Sequence, residues 1–344
     1  MAVIKRIGIV LTSVLFIFAL SELYFRITFK EELKDQHSPL IYSPDPLTGY
    51  RYIPNSEGDI SKPGITAKRV RINNQGFFTA DFSTHKKPGT YRIVFVGSSA
   101  TSGIWMDGTV NFSTKLQQML DASPNKNIEI INCSLDGQGL GAGLMDIVKS
   151  RVVNFEPDLV MLELNIPVSI GSMQRIPYKG YLLQYYTDST KKLAMNAVDE
   201  LNEHWFFRFC YDYSYTFRAW CKDYVEKHKQ SRKAKLMRTY KDRISRMEDV
   251  DVGFFKFNKS IDLLKETQDS VTSKTHAKLV FFSFDSDPQK LTPYLKENGL
   301  TAIFLKCALE KKHLSLPDTH LNQSGHAVVA DSFYNVLIRN NFFR

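Results

Sequence analysis

Short apolar runs that alternate with amphipathic segments constrain the fold of this chain more than any other feature. Four runs are strand-like and bounded by polar or glycine-containing segments: residues 91–96, 128–131, 159–164 and 279–284. Helical spacing of apolar residues lies between and after them, at 112–120, 143–155, 261–271 and 327–338. Strands that alternate with helices predict a parallel sheet covered on both faces. We therefore expect an α/β fold with its ligand site beyond the carboxyl ends of the strands.

Polar segments follow three of these runs. They are part of the segments Val96-Gly97-Ser98-Ser99-Ala100-Thr101-Ser102-Gly103, Asn132-Cys133-Ser134-Leu135-Asp136-Gly137-Gln138-Gly139 and Leu162-Glu163-Leu164-Asn165. A fourth segment, near the C-terminus, reads Pro317-Asp318-Thr319-His320. A serine hydroxyl is a poor nucleophile at neutral pH, so it needs an imidazole to take its proton and a carboxylate to orient that imidazole. Asp318 and His320 provide both groups on one loop, and we expect them to meet a serine from the first segment.

In order and spacing, the four segments resemble the SGNH, or GDSL-like, hydrolase family, in its membrane-anchored bacterial form. The resemblance runs from about residue 45 to the end and implies a three-layer αβα, flavodoxin-like domain with a parallel sheet. It implies that Ser99 is the nucleophile, that His320 is the base and that Asp318 orients the base. It also implies an oxyanion hole made by the amides of Ser99 and Gly137 and the side chain of Asn165.

Two positions depart from the usual pattern of that family. Ser98 and Ile166 each stand where the family usually has an aspartate. Ser98 is also a second hydroxyl beside the expected nucleophile. We choose Ser99 because Thr101 and Gly103 then fall at the family's usual offsets. The departures leave a catalytically inactive member of the family as an alternative.

The N-terminus carries an apolar run, residues 7–25, preceded by Lys5 and Arg6 and interrupted by Glu22. Its length is sufficient for a helix that crosses a bilayer. We expect an uncleaved signal anchor, because no small-x-small cleavage site follows the run; a cleaved signal peptide is the alternative. The basic residues before the run favour a cytoplasmic start. The chain would then be single-pass in the inner membrane, with its catalytic domain periplasmic or otherwise extracytoplasmic.

We expect the following domain organisation. Residues 1–30 form the transmembrane anchor, and 31–90 form an extended connector with a lead-in strand. Residues 91–344 form the hydrolase-like domain, with a helical insertion at about 178–248. Since a chain of 344 residues can bury a sizeable core, one main domain is expected.

The insertion combines an aromatic part with a basic part. Nine Lys and Arg residues lie between 227 and 246, against Glu226 and Asp242, and they account for most of the net charge of +9. The aromatic residues are Trp205, Phe206, Phe207, Phe209, Tyr211, Tyr213, Tyr215, Phe217 and Trp220. The insertion is either a lid over an acyl chain or sugar ring that also meets anionic groups, or a helical hairpin with a solvated basic face. An extracytoplasmic location argues against nucleic acid as a partner.

Cysteine and histidine patterns limit the other chemistry. No Cys/His spacing predicts a metal site, and we expect no cofactor. Cys210 and Cys221 could form a local disulfide in an oxidising compartment, or all four cysteines could be idle thiols. His326 is expected to pack against or cap the helix that follows it, and His313 is expected at the surface.

Three functions are compatible with these observations. The first is an esterase that removes acyl groups, with acetyl as the first candidate, from a cell-envelope glycan or glycolipid. The second is an O-acyltransferase of the same fold, supplied by a membrane-bound acyl donor partner. The third is an inactive member that binds glycan or acts as a scaffold.

Overall fold

The computed structural model describes residues 2–28, 41–62, 65–106, 108, 110–123, 127–137, 142–164, 174–178, 181–185, 191–192, 195–196, 198–199, 203–220, 250–284, 291–305, 307–315, 320–340 and 342. The chain divides into two compact units. The first comprises Met1–His37, Ser61–Ala67 and Met195–Asp251, and the second comprises Ser38–Ile60, Lys68–Ala194 and Val252–Arg344.

The secondary structure is numbered in chain order. The strands are β1 (Tyr42–Asp45), β2 (Gly49–Tyr52), β3 (Glu57–Lys62), β4 (Ile65–Arg71), β5 (Tyr91–Val96), β6 (Ile128–Asn132), β7 (Leu159–Glu163), β8 (Gln174–Tyr178), β9 (Tyr181–Tyr185), β10 (Lys278–Ser283) and β11 (Ala302–Phe304). The helices are α1 (Ala2–Thr28), α2 (Ser99–Ser102), α3 (Phe112–Asp121), α4 (Ala142–Ser150), α5 (Trp205–Tyr213), α6 (Val250–Lys274), α7 (Leu291–Glu297) and α8 (Gln323–Arg339).

A five-stranded sheet with the order β11-β10-β7-β5-β6 forms the centre of the second unit. All its neighbouring strands are parallel. The strands of this sheet follow one another along the chain as β5, β6, β7, β10 and β11. Strand β5 therefore lies between β6 and β7, which is the flavodoxin-like order. This confirms the predicted fold class. The edge strand β11 was not predicted, because it has only three residues and none of them is fully buried.

Helices cover both faces of this sheet, as the apolar strands require. Along β5, Val94 and Val96 face a core that includes side chains of α4, α6 and α7. Ile93 and Phe95 face a second core, built with α3 and α8. Phe95 is fully buried and lies edge-on to Phe333 of α8, with ring centroids 4.9 Å apart. The two cores bury both faces of the sheet, whose carboxyl edge carries the loops described below.

The stretch before the sheet contains more structure than an extended connector. Strands β1 and β2 pair as an antiparallel hairpin, and β3 and β4 form another two-stranded sheet. Tyr42, Tyr50 and Tyr52 of the first hairpin are buried in the core of the second unit. This hairpin therefore belongs to the packed domain, and it supplies side chains to the site described below.

The first unit contains the N-terminal apolar helix. Helix α1 runs from Ala2 to Thr28, and within its stretch Ile4–Thr28 an 18-residue window has a mean hydropathy of 2.1, with none of that window buried. The helix is long and apolar enough to cross a membrane. An N-terminal signal sequence can have the same length and composition. The same unit holds α5 and a helical segment at 215–220. The basic part of the predicted insertion, 227–246, lies outside the described residues, as does Cys221, whereas Cys210 is a free thiol.

Candidate active site

Ser99 lies directly beyond the carboxyl end of β5. The chain turns there from the strand into the short helix α2, with Ser98 as its N-cap and Gly103, at φ 63°, ending it in a left-handed conformation. Ser99 is partly exposed, whereas Thr101 and Ser102 are buried. This turn lies at the topological switch point of the sheet, where β5 is flanked by β6 and β7. Ligand sites in open α/β sheets form at such points.

His320 reaches this turn from the far end of the sequence. Its Nε2 lies 2.8 Å from the Ser99 Oγ. The loop that carries His320 is held by a hydrogen bond from the Ser315 N–H to the His320 carbonyl, at 2.7 Å, and by a bridge between Leu314 and Leu321. The ring of Trp105 lies edge-on to the imidazole, with centroids 6.2 Å apart. The serine and histidine are thus within hydrogen-bond reach, as nucleophilic catalysis requires.

Ser98 has different contacts from Ser99. Its hydroxyl lies 3.1 Å from Glu163 Oε1, and its backbone N–H donates to Glu163 Oε2 at 2.7 Å. The structure therefore gives the two neighbouring hydroxyls separate partners, a carboxylate for Ser98 and an imidazole for Ser99.

Gly137 lies in the turn after β6, beside the Ser99 turn. The chain beyond β6 continues along β5, with the Cys133 N–H donating to the Phe95 carbonyl at 2.7 Å and the Leu135 N–H donating to the Gly97 carbonyl at 3.1 Å. Gly137 has a φ of 74°. A side chain would strain this left-handed backbone, which explains the glycine.

A buried cluster of tyrosines holds the residue before Gly137. Asp136 is 1% exposed. Its carboxylate accepts hydrogen bonds from the hydroxyls of Tyr42, at 3.1 and 3.2 Å, and of Tyr52. Tyr50 donates to the Asp136 carbonyl, and the Asp136 N–H donates to the Tyr52 oxygen at 3.2 Å. Burial, together with the Asp136 charge, raises the pKa of Tyr52 well above its usual range, so this hydroxyl stays protonated as a donor.

Glu163 ends β7 and contacts the Ser99 turn across the switch point. Besides Ser98, it accepts a hydrogen bond from the Thr101 hydroxyl at 2.5 Å. Gly97 makes room for this contact, because a Cβ at that position would lie 2.3 Å from Glu163 Oε2 and from Thr101 Oγ1. Neither Glu163 nor Asp136 was predicted as a site residue. Two signals were available. Glu163 is an acidic residue at the end of an otherwise apolar strand, and Asp136 lies beside a proposed oxyanion glycine.

Two proposed site residues, Asn165 and Asp318, lie outside the described residues. Ile166, one of the two departures, does so as well. Their roles stay predictions. Within the described ranges, no group of three or more His, Cys, Asp and Glu side chains is arranged to hold a metal ion.

The other two histidines considered above are both buried. His326 is 2% exposed, and its Nδ1 accepts a hydrogen bond from the Phe112 N–H at 3.3 Å, at the start of α3. Burial, with smaller effects of Lys115 and His320, lowers the pKa of His326 to about 4. The surface position expected for His313 was wrong, because it is 8% exposed and its Nδ1 accepts from the Glu310 N–H at 2.9 Å.

Together, the fold and this geometry define an α/β protein with a serine–histidine pair at the switch point of a parallel sheet.

No protein-family model matches the sequence, and no curated protein matches it. Among solved structures, it is similar to TesA at 10% identity and a TM-score of 0.38, covering 72% of this chain and 97% of that one. The esterase EstA from Pseudoalteromonas sp. has 12% identity and a TM-score of 0.37, covering 72% and 97%. A two-domain esterase active on acetylated mannans has 12% identity and a TM-score of 0.38, covering 73% of this chain and 49% of that one. At this level of similarity, a functional assignment rests on the geometry of the chain itself.

Proposed function

We propose that this protein is a membrane-anchored, extracytoplasmic serine esterase of the SGNH type. The observation that carries the proposal is the 2.8 Å contact between Ser99 Oγ and His320 Nε2 at the carboxyl edge of the sheet. A serine hydroxyl paired with an imidazole in this position has the two groups that acyl transfer needs.

In the proposed reaction, the Ser99 oxygen attacks the carbonyl carbon of an ester while His320 Nε2 takes the hydroxyl proton. The tetrahedral intermediate expels the alcohol, which receives that proton from His320, and an acyl-enzyme forms on Ser99. Water then attacks the acyl-enzyme, with His320 again as the base, and releases the carboxylic acid. The motif resemblance implies that Asp318 orients His320 in both steps.

Negative charge develops on the carbonyl oxygen in both steps. We assign its stabilisation to the backbone amides of Ser99 and Gly137 and the side-chain amide of Asn165. Removing one such donor typically costs about 3 to 4 kcal/mol of transition-state stabilisation. The hydrogen bond from the Leu135 N–H to the Gly97 carbonyl supports Gly137 in this role, because it brings the turn after β6 alongside the Ser99 turn.

The substrate class comes from the motif resemblance, which implies acyl esters, with acetyl esters first among them, of cell-envelope glycans or glycolipids. The apolar helix α1 and the positive charges of Lys5 and Arg6 before its apolar run support an anchor with the second unit outside the cytoplasm. An anchored esterase would act on substrates held in or near the same membrane.

The proposal is tested with the full chain in detergent. We expect it to react with a fluorophosphonate probe and to hydrolyse p-nitrophenyl acetate, with both activities absent from the Ser99→Ala variant. A folded wild-type chain that neither reacts nor hydrolyses would overturn the esterase and favour the inactive, glycan-binding alternative. Product analysis of acetylated glycans with and without a sugar acceptor then distinguishes hydrolysis from acyl transfer.

A further inference from the structure

The first unit presents an aromatic surface on α5 and the helical segment 215–220. We define the aromatic surface by six large side chains that are between 49% and 75% exposed: Trp205, Phe206, Phe207, Phe209, Tyr213 and Trp220. No residue of α5 is buried. Soluble proteins rarely expose this many large apolar side chains on one short segment, so the aromatic surface indicates a contact surface.

Glu22 of α1 binds this segment through three hydrogen bonds. Its carboxylate accepts from the backbone N–H groups of Tyr215, at 2.9 Å, and Thr216, at 3.0 Å. It also accepts from the Ser214 hydroxyl at 2.8 Å. Since these N–H groups begin the helical segment 215–220, the carboxylate acts as its N-terminal cap from another helix.

Arg26, one turn further along α1, contacts the same region. We call the contacts of Glu22 and Arg26 with residues 213–216 the attachment. The Arg26 Nε lies 2.7 Å from Glu22 Oε1, and its Nη2 donates to the carbonyl of Tyr213, the last residue of α5, at 2.6 Å. Its guanidinium also lies over the Tyr215 ring, 4.9 Å from the centroid. The break between α5 and the next helical segment is therefore bonded on both sides by side chains of α1.

The attachment lies at one end of the apolar part of α1. From Lys5 to Glu22 a helix rises by about 25 Å. The hydrocarbon core of a bilayer is about 30 Å thick. If Lys5 lies at one surface of the membrane, Glu22 and Arg26 lie near the other. A carboxylate at this depth is tolerated when it is paired, and Glu22 is paired with Arg26.

We propose that the aromatic surface is a second membrane-contacting element, and that its occupant is the lipid headgroup layer of the bilayer that α1 crosses. Trp and Tyr side chains concentrate at that layer, where an apolar ring and a polar edge are both satisfied. The polar contacts of Glu22 and Arg26 would hold the surface at the depth where such side chains are stable. This inference depends on the proposed anchor and does not depend on esterase activity.

The three tryptophans of the chain allow a direct test. The full chain is reconstituted in phosphatidylcholine vesicles with brominated acyl chains, which quench tryptophan fluorescence on contact. A Trp105→Phe variant keeps Trp205 and Trp220, and a Trp205→Phe/Trp220→Phe variant keeps Trp105 in the second unit. We expect at least about twofold stronger quenching in the first variant, as interfacial aromatic side chains require.

Flotation of the same vesicles separates the possible failures. A chain that does not float with the vesicles would overturn the anchor and this inference together. A chain that floats, but whose Trp205 and Trp220 are quenched no more than Trp105, would overturn the aromatic contact alone. Glu22→Gln should weaken the quenching of Trp205 and Trp220 while the chain still floats, whereas unchanged quenching would overturn the role of the attachment.

A separate observation supports a second inference, which rests on the proposed function. We infer that Glu163 is a positioning residue for the nucleophile. Its carboxylate binds the Ser98 N–H, the Ser98 hydroxyl and the Thr101 hydroxyl, and so holds both ends of the turn that carries Ser99. The pattern that the motifs resemble usually has a carboxylate at position 98, and in this chain a carboxylate reaches the same turn from β7.

A misplacement of about 1 Å at a nucleophile can lower a rate by about 10²-fold. We therefore expect Glu163→Ala to lower kcat by about 10- to 100-fold with little change in KM and with a folded protein by circular dichroism. Glu163→Gln, which keeps one oxygen acceptor, should lose less. Ser98→Asp in the Glu163→Ala background should recover part of the lost kcat, since it returns a carboxylate to the turn.

The outcomes distinguish this inference from the proposed function. An inactive wild-type chain would overturn the esterase itself. An active wild-type chain whose Glu163→Ala variant keeps its kcat would overturn the positioning role. A fall in thermal stability that accounts for the lost activity, without recovery by Ser98→Asp, would also overturn it and assign Glu163 to the fold.

Discussion

His320 Nε2 lies 2.8 Å from Ser99 Oγ, although 221 residues separate them in the sequence. The contact joins the turn after the first sheet strand to the loop before the last helix. The Ser99 turn follows β5, and α8, which follows the His320 loop, packs on the same sheet through Phe333 and Phe95.

Replacing either partner should abolish turnover. We expect Ser99→Ala and His320→Ala each to lower the rate of p-nitrophenyl acetate hydrolysis by at least about 10³-fold, because members of such a pair act as a unit. Ser98→Ala is the matched control. It removes a neighbouring hydroxyl whose partner is Glu163, so its rate should fall by less than about tenfold. A larger loss in Ser98→Ala than in Ser99→Ala would exchange the two roles.

The tyrosine cluster around Asp136 should affect both stability and turnover. Tyr52→Phe removes a hydroxyl that donates to a buried carboxylate, and hydrogen bonds to charged groups contribute about 1.5 to 3 kcal/mol. We expect a comparable decrease in the free energy of unfolding, measured by urea denaturation. Because Gly137 follows Asp136, kcat should also fall.

Tyr42→Phe provides the comparison for Tyr52→Phe. Its hydroxyl donates to the same carboxylate from 3.1 and 3.2 Å, whereas the Tyr52 hydroxyl both donates to that carboxylate and accepts from the Asp136 N–H at 3.2 Å. The loss of stability should therefore be smaller than in Tyr52→Phe. Equal stabilities of both variants and the wild type would show that the cluster does not support the Gly137 turn.

Gly97 should not tolerate a side chain. In Gly97→Ala the new Cβ would lie 2.3 Å from Glu163 Oε2 and from Thr101 Oγ1, so the turn or the carboxylate must move. Overpacking of this kind costs about 1 to 3 kcal/mol. We expect a lower melting temperature and a loss of activity. Gly108→Ala, whose Cβ would meet Phe78 at 3.5 Å, is the control and should be close to wild type.

His326 should make the fold sensitive to mild acid. Burial lowers its pKa from 6.5 to about 4, so between these values the unfolded chain binds the proton more readily than the folded one. The part of the free energy of unfolding that depends on neutral His326 is thus complete above about pH 6.5. It is lost as the pH falls towards 4. The shift corresponds to about 3 kcal/mol at most. Urea denaturation at several pH values between 4 and 7 would measure it.

His326→Asn separates this titration from the others. The asparagine oxygen can accept the Phe112 N–H but does not titrate, although the stacking of His326 on Phe112 is lost. The variant should be less stable than the wild type at pH 7 and should show a smaller decrease between pH 6.5 and 4. An unchanged pH dependence would assign the acid sensitivity to other groups.

The class of the fold follows from the apolar pattern of the sequence. Continuous apolar runs such as 91–96 are stable only in a strand that is covered on both faces, and the helical spacing between runs requires crossovers. That local pattern predicted strands β5, β6, β7 and β10, and with them the edge of the sheet at which Ser99 and Gly137 lie. Strand β11 escaped prediction because its short, partly exposed run carries little pattern.

The side chains that meet at that edge could not be predicted from local sequence patterns. Glu163 looks like an ordinary polar residue at the end of a strand, and Asp136 looks like an ordinary loop residue. Tyr52 lies in what looks like a connector. Only the strand order brings Glu163 to the turn of Ser98, and only the packing of the first hairpin brings Tyr52 to Asp136. Sequence patterns report the burial and period of each segment, whereas contacts between distant segments depend on how the sheet and its covering layers are assembled.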